Sequence, residues 1–542
     1  MKKYTIIVFI LTIFFNSLYT QPDSRFRPFD WILYKGAKTI NSITEGYSYI
    51  YVATESGGLK RFNLFGNRFD EPITMAQGLK ENNINATHFD LNTGIIWIVS
   101  NNYLQYSFSR EGDWYTIRLK DLGLSKHDKI DKIGSSIDYI WLKAKSTFYK
   151  LDHSSGILIG IYPIPDEKNI KWSSGEYINN PKFSEIIMHY GIMDGYVFNG
   201  DELIDNLGRR TRIQTIYFAN HGNIFFGTDD GTLFNATTTM QVFTSYTSDI
   251  INTDVSSLFF ENDQLWIGSL NFIFSKGITT LDVRNNYIQS YQFEQTINMN
   301  PTPIYSISVF DGEVWAGGED IILNYNIKKN FWRTLGSESI GYVSKIFDIH
   351  TDSLHVWIAS SSGLNCVDRK NKRQLKFGVE SLFNQISVYD LEGVNEEIWI
   401  ATDSDVYILS VNNPQIRNSN EIGRKDFPQL LNGIKKIKSF DNMVYVLGEM
   451  GIATFDLELN KWDLFMSSAY YDNKIIHTLA VNKKYIFLGS NNSLIRLDKN
   501  TSLVKEYEFE FLGKINDLYF DNKILWIGSS EGLIKFKWKR DI

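Results

Sequence analysis

Cysteine is almost absent from this chain of 542 residues, which holds only Cys366. A single thiol cannot form an intramolecular disulfide, and it excludes a structural metal site of the cysteine type. Its position in the segment GLNCVDR predicts a small buried side chain in a strand. The stability of the fold must therefore come from side-chain packing.

Catalytic and metal-binding motifs are also lacking. The sequence contains no HExxH, no phosphate-binding loop and no dinucleotide-binding fingerprint. Its eight histidines are scattered, and only His350 and His355 lie close together. We interpret that pair as turn histidines rather than as a metal site. The sequence therefore predicts no enzyme activity, no cofactor and no bound metal.

Basic residues are in the minority, with 55 Lys and Arg against 62 Asp and Glu, so the formal net charge is −7. Such a chain has no general attraction to nucleic acid or to anionic lipid. Lys2 and Lys3 precede an apolar run from Ile6 to Phe15, which predicts a secretory signal peptide over residues 1–20. The run is shorter than the roughly 20 residues that span a membrane. We expect a periplasmic or secreted protein with no transmembrane anchor after cleavage.

Helical amphipathic runs are absent over most of the chain, and short apolar runs separated by polar turns recur instead. The segment KILWIGSSEGLIKF, Lys523 to Phe536, shows the unit: an apolar strand, a glycine turn and a second strand. The aromatic residue of that first strand recurs at Tyr51, Trp97, Trp141, Phe225, Trp266, Trp315, Trp357, Trp399, Tyr445, Phe487 and Trp526. The gap between residues 141 and 225 is about two periods, which predicts a degenerate copy at Tyr196 to Asn199. The mean spacing, about 43 residues, is typical of a four-stranded propeller blade.

These repeats predict an all-β protein of about twelve four-stranded β-propeller blades. Because one propeller usually holds 4 to 8 blades, two propellers are expected. The segment Phe29 to Tyr34 has the pattern of a fourth strand with no blade before it, and the last copy ends after its third strand. We therefore predict that the N-terminal strand closes the last blade. The predicted domains are a first propeller over 21–250, completed by 511–542, and a second over 251–510. Six blades in each is the leading division, with seven plus five or a single ring as alternatives.

Two predicted connections between blades are unusually long, Pro163 to Pro181 and Val411 to Gly433. Long loops on a rigid scaffold are where binding residues concentrate. The candidate ligand-binding residues on these loops are Trp172, Tyr177, Arg417, Arg424 and Phe427. The alternative is that the aromatic rings only hold their loops in place. The basic residues Lys435, Lys436 and Lys438 alternate with isoleucine, and we interpret them as the solvent face of a strand.

The recurring form apolar-Trp-Ile-Gly-Ser/Thr followed by Gly-Leu resembles the two-component regulator propeller repeat. The similarity is clearest at Leu265 to Ser269, Ile398 to Thr402 and Leu525 to Leu533. It implies a propeller fold over nearly the whole chain. In the family it resembles, paired propellers form the periplasmic sensor of hybrid histidine kinases and bind glycan breakdown products; a similar double propeller occurs in an accessory protein of the type IX secretion machinery. Only two residues follow Arg540, so we expect no kinase and no signalling in cis.

Three functions follow from these observations. The leading one is an exported, non-enzymatic recognition or scaffold protein that binds a glycan or a protein partner through its loop-bearing face. The alternative is a propeller-fold glycoside hydrolase or lyase, which requires two axial carboxylates roughly 5 to 9.5 Å apart. The third is a purely structural role in an envelope assembly.

Overall fold

The computed structural model describes residue 22 and residues 25–125, 128–174, 181–247, 250–270, 277–423, 432–521 and 523–541. Over these residues the chain forms eleven β-sheets, of which nine have four strands. Most of these sheets are antiparallel meanders in which consecutive strands pair. The predicted all-β propeller fold is confirmed. The predicted signal peptide, residues 1–20, lies outside the described residues.

The first four sheets, blades 1 to 4, occupy residues 40–246. Blade 1 is β2 (Ile40–Glu45), β3 (Tyr49–Thr54), β4 (Leu59–Asn63) and β5 (Arg68–Ile73), and blade 2 is β6 (Ile84–Asp90), β7 (Ile95–Ser100), β8 (Tyr103–Ser107) and β9 (Tyr115–Arg118). Blade 3 is β10 (Lys132–Ser135), β11 (Tyr139–Ala144), β12 (Thr147–Asp152), β13 (Leu158–Tyr162) and β14 (Lys171–Trp172). Blade 4 is β15 (Gly191–Ile192), β16 (Val197–Asn199), β17 (Glu202–Ile204), β18 (Arg210–Phe218), β19 (Asn223–Thr228), β20 (Leu233–Thr237) and β21 (Val242–Tyr246).

Blades 5 to 8 follow the four-stranded pattern. Blade 5 is β22 (Val255–Glu261), β23 (Gln264–Ser269), β24 (Gly277–Asp282) and β25 (Tyr287–Gln292), and blade 6 is β26 (Ser306–Phe310), β27 (Glu313–Gly317), β28 (Ile322–Asn326) and β29 (Phe331–Leu335). Blade 7 is β30 (Ile346–Thr351), β31 (His355–Ser360), β32 (Gly363–Asp368) and β33 (Arg373–Leu375), and blade 8 is β34 (Val388–Val394), β35 (Glu397–Thr402), β36 (Val406–Ser410) and β37 (Gln415–Asn418).

Blades 9 to 11 complete the chain. Blade 9 is β38 (Lys436–Phe440), β39 (Met443–Gly448), β40 (Gly451–Asp456) and β41 (Lys461–Ser467), and blade 10 is β42 (Thr478–Val481), β43 (Tyr485–Gly489), β44 (Ser493–Asp498) and β45 (Val504–Glu508). Blade 11 is β46 (Ile515–Asp521), β47 (Ile524–Ser529), β48 (Gly532–Phe536) and the N-terminal β1 (Trp31–Tyr34).

The described helices are short. The α-helices are α1 (Pro181–His189) and α2 (Ser337–Ile340). The 3₁₀ turns are Met75–Gln77, Leu119–Leu122, Asn220–Gly222, Glu380–Phe383, Ser468–Tyr471, Glu510–Leu512 and Trp538–Asp541.

Contacts between the first strands of the blades define two rings. In the first ring β6 of blade 2 contacts both β2 and β10, and β18 of blade 4 contacts β2. Ser173 and Ser174 link blades 3 and 4 by hydrogen bonds to Ile133 and Thr215. In the second ring the first strands of blades 5 to 11 contact one another in chain order, and β46 also contacts β22. The first ring therefore has four blades and the second has seven.

The same steric contact closes both rings. Inside the second ring, a Cβ atom added at Gly268 of blade 5 would lie 2.7 Å from Ile304, just before blade 6. At the closures, a Cβ at Gly227 would lie 2.4 Å from Ile40 of blade 1, and one at Gly528 would lie 2.8 Å from Val255 of blade 5. The predicted role of these small residues, to make room between blades, agrees with these distances.

The N-terminal strand closes the last blade as predicted, since β1 pairs with β48 from Trp31↔Phe536 to Tyr34↔Leu533. The predicted partition of the rings is different from the observed one. The last blade lies beside blade 5, with Asn516 bonded to Val255 and Asp517 to Leu258, so residues after 511 complete the second ring rather than the first.

The predicted twelfth copy does not form a sheet of its own. Strand β16, which contains the candidate segment, pairs with β17, and β17 pairs with the long strand β18 of blade 4. Because β18 extends beyond β19, its free end receives this extra hairpin. The division is therefore four plus seven, where the sequence predicted six plus six.

Large aromatic rings fill the spaces between blades. Trp97, Trp141, Trp315, Trp357, Trp399 and Trp526 are fully buried. The turn glycines Gly58, Gly231, Gly363, Gly451 and Gly532 have the predicted positive φ. At Gly532 a side chain would also meet the carbonyl oxygen of Tyr34 in the closing strand, 2.3 Å from an added Cβ.

Candidate ligand-binding site

The first strands of blades 5 to 11 surround a channel on the axis of the second ring. Its volume is about 360 Å³, which lies within the range of small-molecule sites. The wall is polar over most of its area because hydroxyl and charged side chains supply much of the lining. This channel is the candidate site.

Two sets of positions on the first strands face this region, because residues two apart in a strand share a face. One set pairs with the blade aromatics and lines the channel throughout: Phe259, Ser308, His350, Glu392, Lys438, Ala480 and Tyr519. The other pairs with the residue two positions after each aromatic: Ser257, Ser306, Asp348, Asp390, Lys436, Thr478 and Asp517.

Three carboxylates of the second set join neighbouring blades. Asp348 accepts the backbone N–H of Leu391 at 3.0 Å, and Asp390 accepts that of Ile437 at 2.7 Å. Asp517 accepts the N–H of Leu258 at 2.8 Å, across the closure of the ring. Each bond satisfies a backbone donor at the start of the next blade.

Two lysines of blade 9, Lys436 and Lys438, extend into the same region, and we call them the lysine pair. Lys436 Nζ lies 2.8 Å from Asp390 Oδ1, and Lys438 Nζ lies 3.5 Å from Glu392 Oε2. Glu392 also accepts the N–H and the hydroxyl of Ser439. The lysine side chains keep 21% and 37% of their surface accessible, so both ammonium groups reach the channel.

Four acids surround two lysines, and the pKa directions follow from that excess. Burial raises the pKa of Asp390 to about 7, although Lys436 opposes the shift. Burial disfavours the charged form of both lysines, but the neighbouring acids outweigh it and raise their pKa values. Burial lowers the pKa of His350, so the neutral ring is favoured at pH 7. The lysine pair therefore remains cationic.

The sequence interpretation of these residues was wrong in one respect. Lys436 and Lys438 were expected on a solvent face, but they line the axis. His350 lies in the channel, while His355 is bonded to Asp352 at 3.3 Å, so the two histidines do not form one site. The signal that was missed is the strand register. Each channel position pairs either with a blade aromatic or with the residue two positions after that aromatic.

The predicted site residues lie elsewhere. Trp172 is half-buried in β14, where it pairs with Gly134 and packs against Phe148 with ring centroids 6.0 Å apart. Arg417 is on the outer strand β37 and bonds to Glu397. Tyr177, Arg424 and Phe427 lie outside the described residues. The expected long connections thus contain the strands β14 and β37.

The axis of the first ring is occupied by the chain itself. Ser173 donates to the carbonyl of Ile133 in blade 3. Ser174 exchanges hydrogen bonds with Ile43 of blade 1 and accepts one from Thr215 of blade 4 at 2.8 Å. The segment therefore joins three blades at the centre of the first ring.

Within the described ranges, no group of three or more His, Cys, Asp and Glu side chains is placed to hold a metal ion. The helices of the described part of the chain are all too short or too polar to cross a membrane.

No protein-family model matches the sequence, and no curated protein matches it. Similar solved structures do exist. The extracellular domain of the hybrid two-component system BT4673 from B. thetaiotaomicron has 13% identity over 91% of this chain and 70% of that chain, with a TM-score of 0.44. The corresponding domain of BT3049 has 14% identity over 91% of this chain and 75% of that chain, with a TM-score of 0.42. Virginiamycin B lyase from Staphylococcus aureus has 14% identity over 52% of this chain and 94% of that chain, with a TM-score of 0.42.

Two of these structures are extracellular domains of hybrid two-component systems, the group to which the repeat resemblance points. The third is a lyase. At these identities and TM-scores, the similarities carry no argument about ligand or activity.

Proposed function

We propose that this protein is an exported, non-enzymatic recognition protein that binds a hydroxyl-rich ligand, a glycan fragment, in the axial channel of the second ring. The single observation that carries the proposal is the lining of that channel. It combines hydroxyl groups, charged groups and aromatic rings in one cavity of about 360 Å³.

This combination suits a sugar. Ser256, Ser257, Ser306 and Ser308, which we call the serine wall, supply hydroxyl groups from blades 5 and 6. The rings of Phe259, Tyr305 and Tyr519 supply apolar surface in the same channel. Small-molecule sites typically combine aromatic surface with a few placed polar groups that fix orientation.

The proposal is tested by a thermal-shift screen of residues 21–542 against oligosaccharides. At about 100 times Kd, one-site binding adds roughly 2.7 kcal/mol to the free energy of unfolding, which a melting curve detects. Ala480→Leu places extra volume on the channel wall and should abolish the shift. Ala469→Leu is the matched control, because Ala469 lies on an exposed turn. A sugar-induced shift that survives Ala480→Leu would exclude the channel.

The loop-bearing face remains a second proposed contact for a glycan or a protein partner. The connection Val411 to Gly433 contains the strand β37, so deleting it would also remove part of blade 8. Substitution of single side chains is therefore the cleaner test. Alanine at Arg417, Arg424 and Phe427 together should weaken binding without lowering the melting temperature. Alanine at Trp172 and Tyr177 tests the other connection. Unchanged affinity in both variants would remove this face from the site.

A propeller hydrolase or lyase is the second candidate, because Asp348, Glu392 and Asp517 do lie around the axis. Their oxygens accept hydrogen bonds from backbone N–H groups or serine hydroxyls, which favours a structural role. Mass spectrometry of oligosaccharides incubated with the protein tests this candidate. Cleavage that is lost in Glu392→Gln would replace the binding proposal.

A further inference from the structure

The hydrogen-bonding capacity left in the channel is unequal. All eight carboxylate oxygens of Asp348, Asp390, Glu392 and Asp517 already have a donor or a cation from the protein. Each lysine of the lysine pair makes one ion pair with the residues that the structure describes, although an ammonium group has three N–H donors. Most of the charged side chains in the channel are acidic. Among the described residues, however, the hydrogen-bonding capacity that remains free is mainly that of the N–H donors of the lysine pair.

The order of blades places the serine wall across the channel from the lysine pair. Blade 9 carries the lysines, and blades 5 and 6 are each three steps away in the seven-bladed ring. On that wall Ser308 lies opposite Trp315, in the same set of positions as Lys438 opposite Tyr445, and it lines the channel. A serine hydroxyl can both donate and accept a hydrogen bond, so Ser308 is a candidate contact for a ligand.

Resting on the proposed function, we propose that the ligand carries a carboxylate, which binds the lysine pair while its hydroxyl-bearing part contacts the serine wall on the opposite side. A carboxylate accepts hydrogen bonds with both oxygens and complements the unused N–H donors. A neutral sugar offers the remaining N–H donors only hydroxyl oxygens, which form weaker hydrogen bonds than a carboxylate does. The neighbouring acids disfavour a dianion, so one negative charge is the best fit.

Lys438 is the residue to change, because Glu392 keeps two hydrogen bonds at its other oxygen, Oε1. In Lys438→Gln, Glu392 keeps the N–H and hydroxyl of Ser439. In Lys436→Gln, by contrast, the fully buried Asp390 would lose its cation. Lys435→Gln is the matched control. It removes the same charge from the residue just before β38, which is not part of the channel lining.

The experiment measures the affinity of a uronic-acid disaccharide and of its neutral counterpart by calorimetry. We expect the acidic disaccharide to bind at least tenfold more tightly, and Lys438→Gln to remove that preference. Lys435→Gln should bind like the wild type. Tighter binding of the neutral sugar, or an acidic preference that Lys438→Gln leaves intact, overturns the carboxylate inference alone. If neither disaccharide binds, the glycan proposal fails together with it.

Discussion

The two rings are built from the same repeat but differ at the axis. In the first ring three of the four corresponding inner positions hold small or neutral residues, Ser42, Ala86 and Thr215, the fourth is Lys132, and residues 173–174 fill the centre. In the second ring the corresponding positions hold Asp348, Lys436 and other charged or hydroxyl residues around an open channel.

The difference shows that the number of blades decides what the axis can do. Four blades leave a narrow centre, which one segment of chain seals with backbone and hydroxyl hydrogen bonds. Seven blades leave a wider one, where the side chains of Lys436 and Lys438 keep part of their surface accessible. Ring size and inner-strand composition therefore support the proposal that the ligand binds in the second ring, while the axis of the first ring is filled by the chain.

The largest expected effect comes from breaking the closure of the second ring. Trp31 is fully buried in the closing strand and stacks on Phe536 with ring centroids 3.6 Å apart. Trp31→Ala should lower the free energy of unfolding by about 3 to 5 kcal/mol, because it leaves a large cavity. Urea unfolding measures the loss. Phe65→Ala is the control, since Phe65 is 83% exposed. A loss as small as the control's would mean that β1 is not needed for closure.

The closing strand was also the long-range feature that the sequence revealed best. An aromatic strand without a blade at one end and a blade without a fourth strand at the other predict their pairing, as Trp31↔Phe536 confirms. The blade spacing was equally readable, because an aromatic must recur wherever two sheets pack. These features are encoded within single repeats.

The ring partition and the channel were not readable in the same way. Each blade contacts only its neighbours. The sequence of one repeat therefore does not indicate that Gly528 of blade 11 packs against Val255 of blade 5 rather than against Ile40 of blade 1. Without the closure, the lysine pair has the pattern of a solvent-facing strand. Residues that line an internal channel are polar for the same reason as surface residues, so polarity alone could not distinguish the two.

A smaller effect is expected from opening the first axis. Ser174→Ala removes the side-chain acceptor for the buried N–H of Ile43 and one hydrogen bond of Thr215. An unsatisfied buried donor costs about 1 to 3 kcal/mol, which urea unfolding should detect. Ligand affinity should stay unchanged, because the channel belongs to the other ring. Ser155→Ala, at an exposed turn, is the control. A change in ligand affinity would contradict the separation of roles between the rings.

The smallest expected effect is a pH dependence of stability that arises from Asp390 at the axis of the second ring. The pKa of Asp390 is raised to about 7, so between its unfolded value near 4 and pH 7 the native state holds a proton that the unfolded state releases. The stability of the wild type should therefore fall, relative to Asp390→Asn, as the pH rises. One proton changes the free energy of unfolding by at most about 1.4 kcal/mol per pH unit. Unfolding curves at pH 5.5 and 6.5 measure the difference.

The comparison isolates Asp390 because its charged neighbours are present in both proteins. Lys436, Lys438 and Asp348 lie close to Asp390, and the lowered pKa of His350 in the neighbouring blade makes stability rise with pH over the same range. Subtracting the variant from the wild type removes those contributions if the substitution leaves their pKa values unchanged. Equal pH dependence in the two proteins would mean that Asp390 is ionised throughout, and that the second axis carries a full extra negative charge. The lysine pair would then be a weaker carboxylate site than proposed.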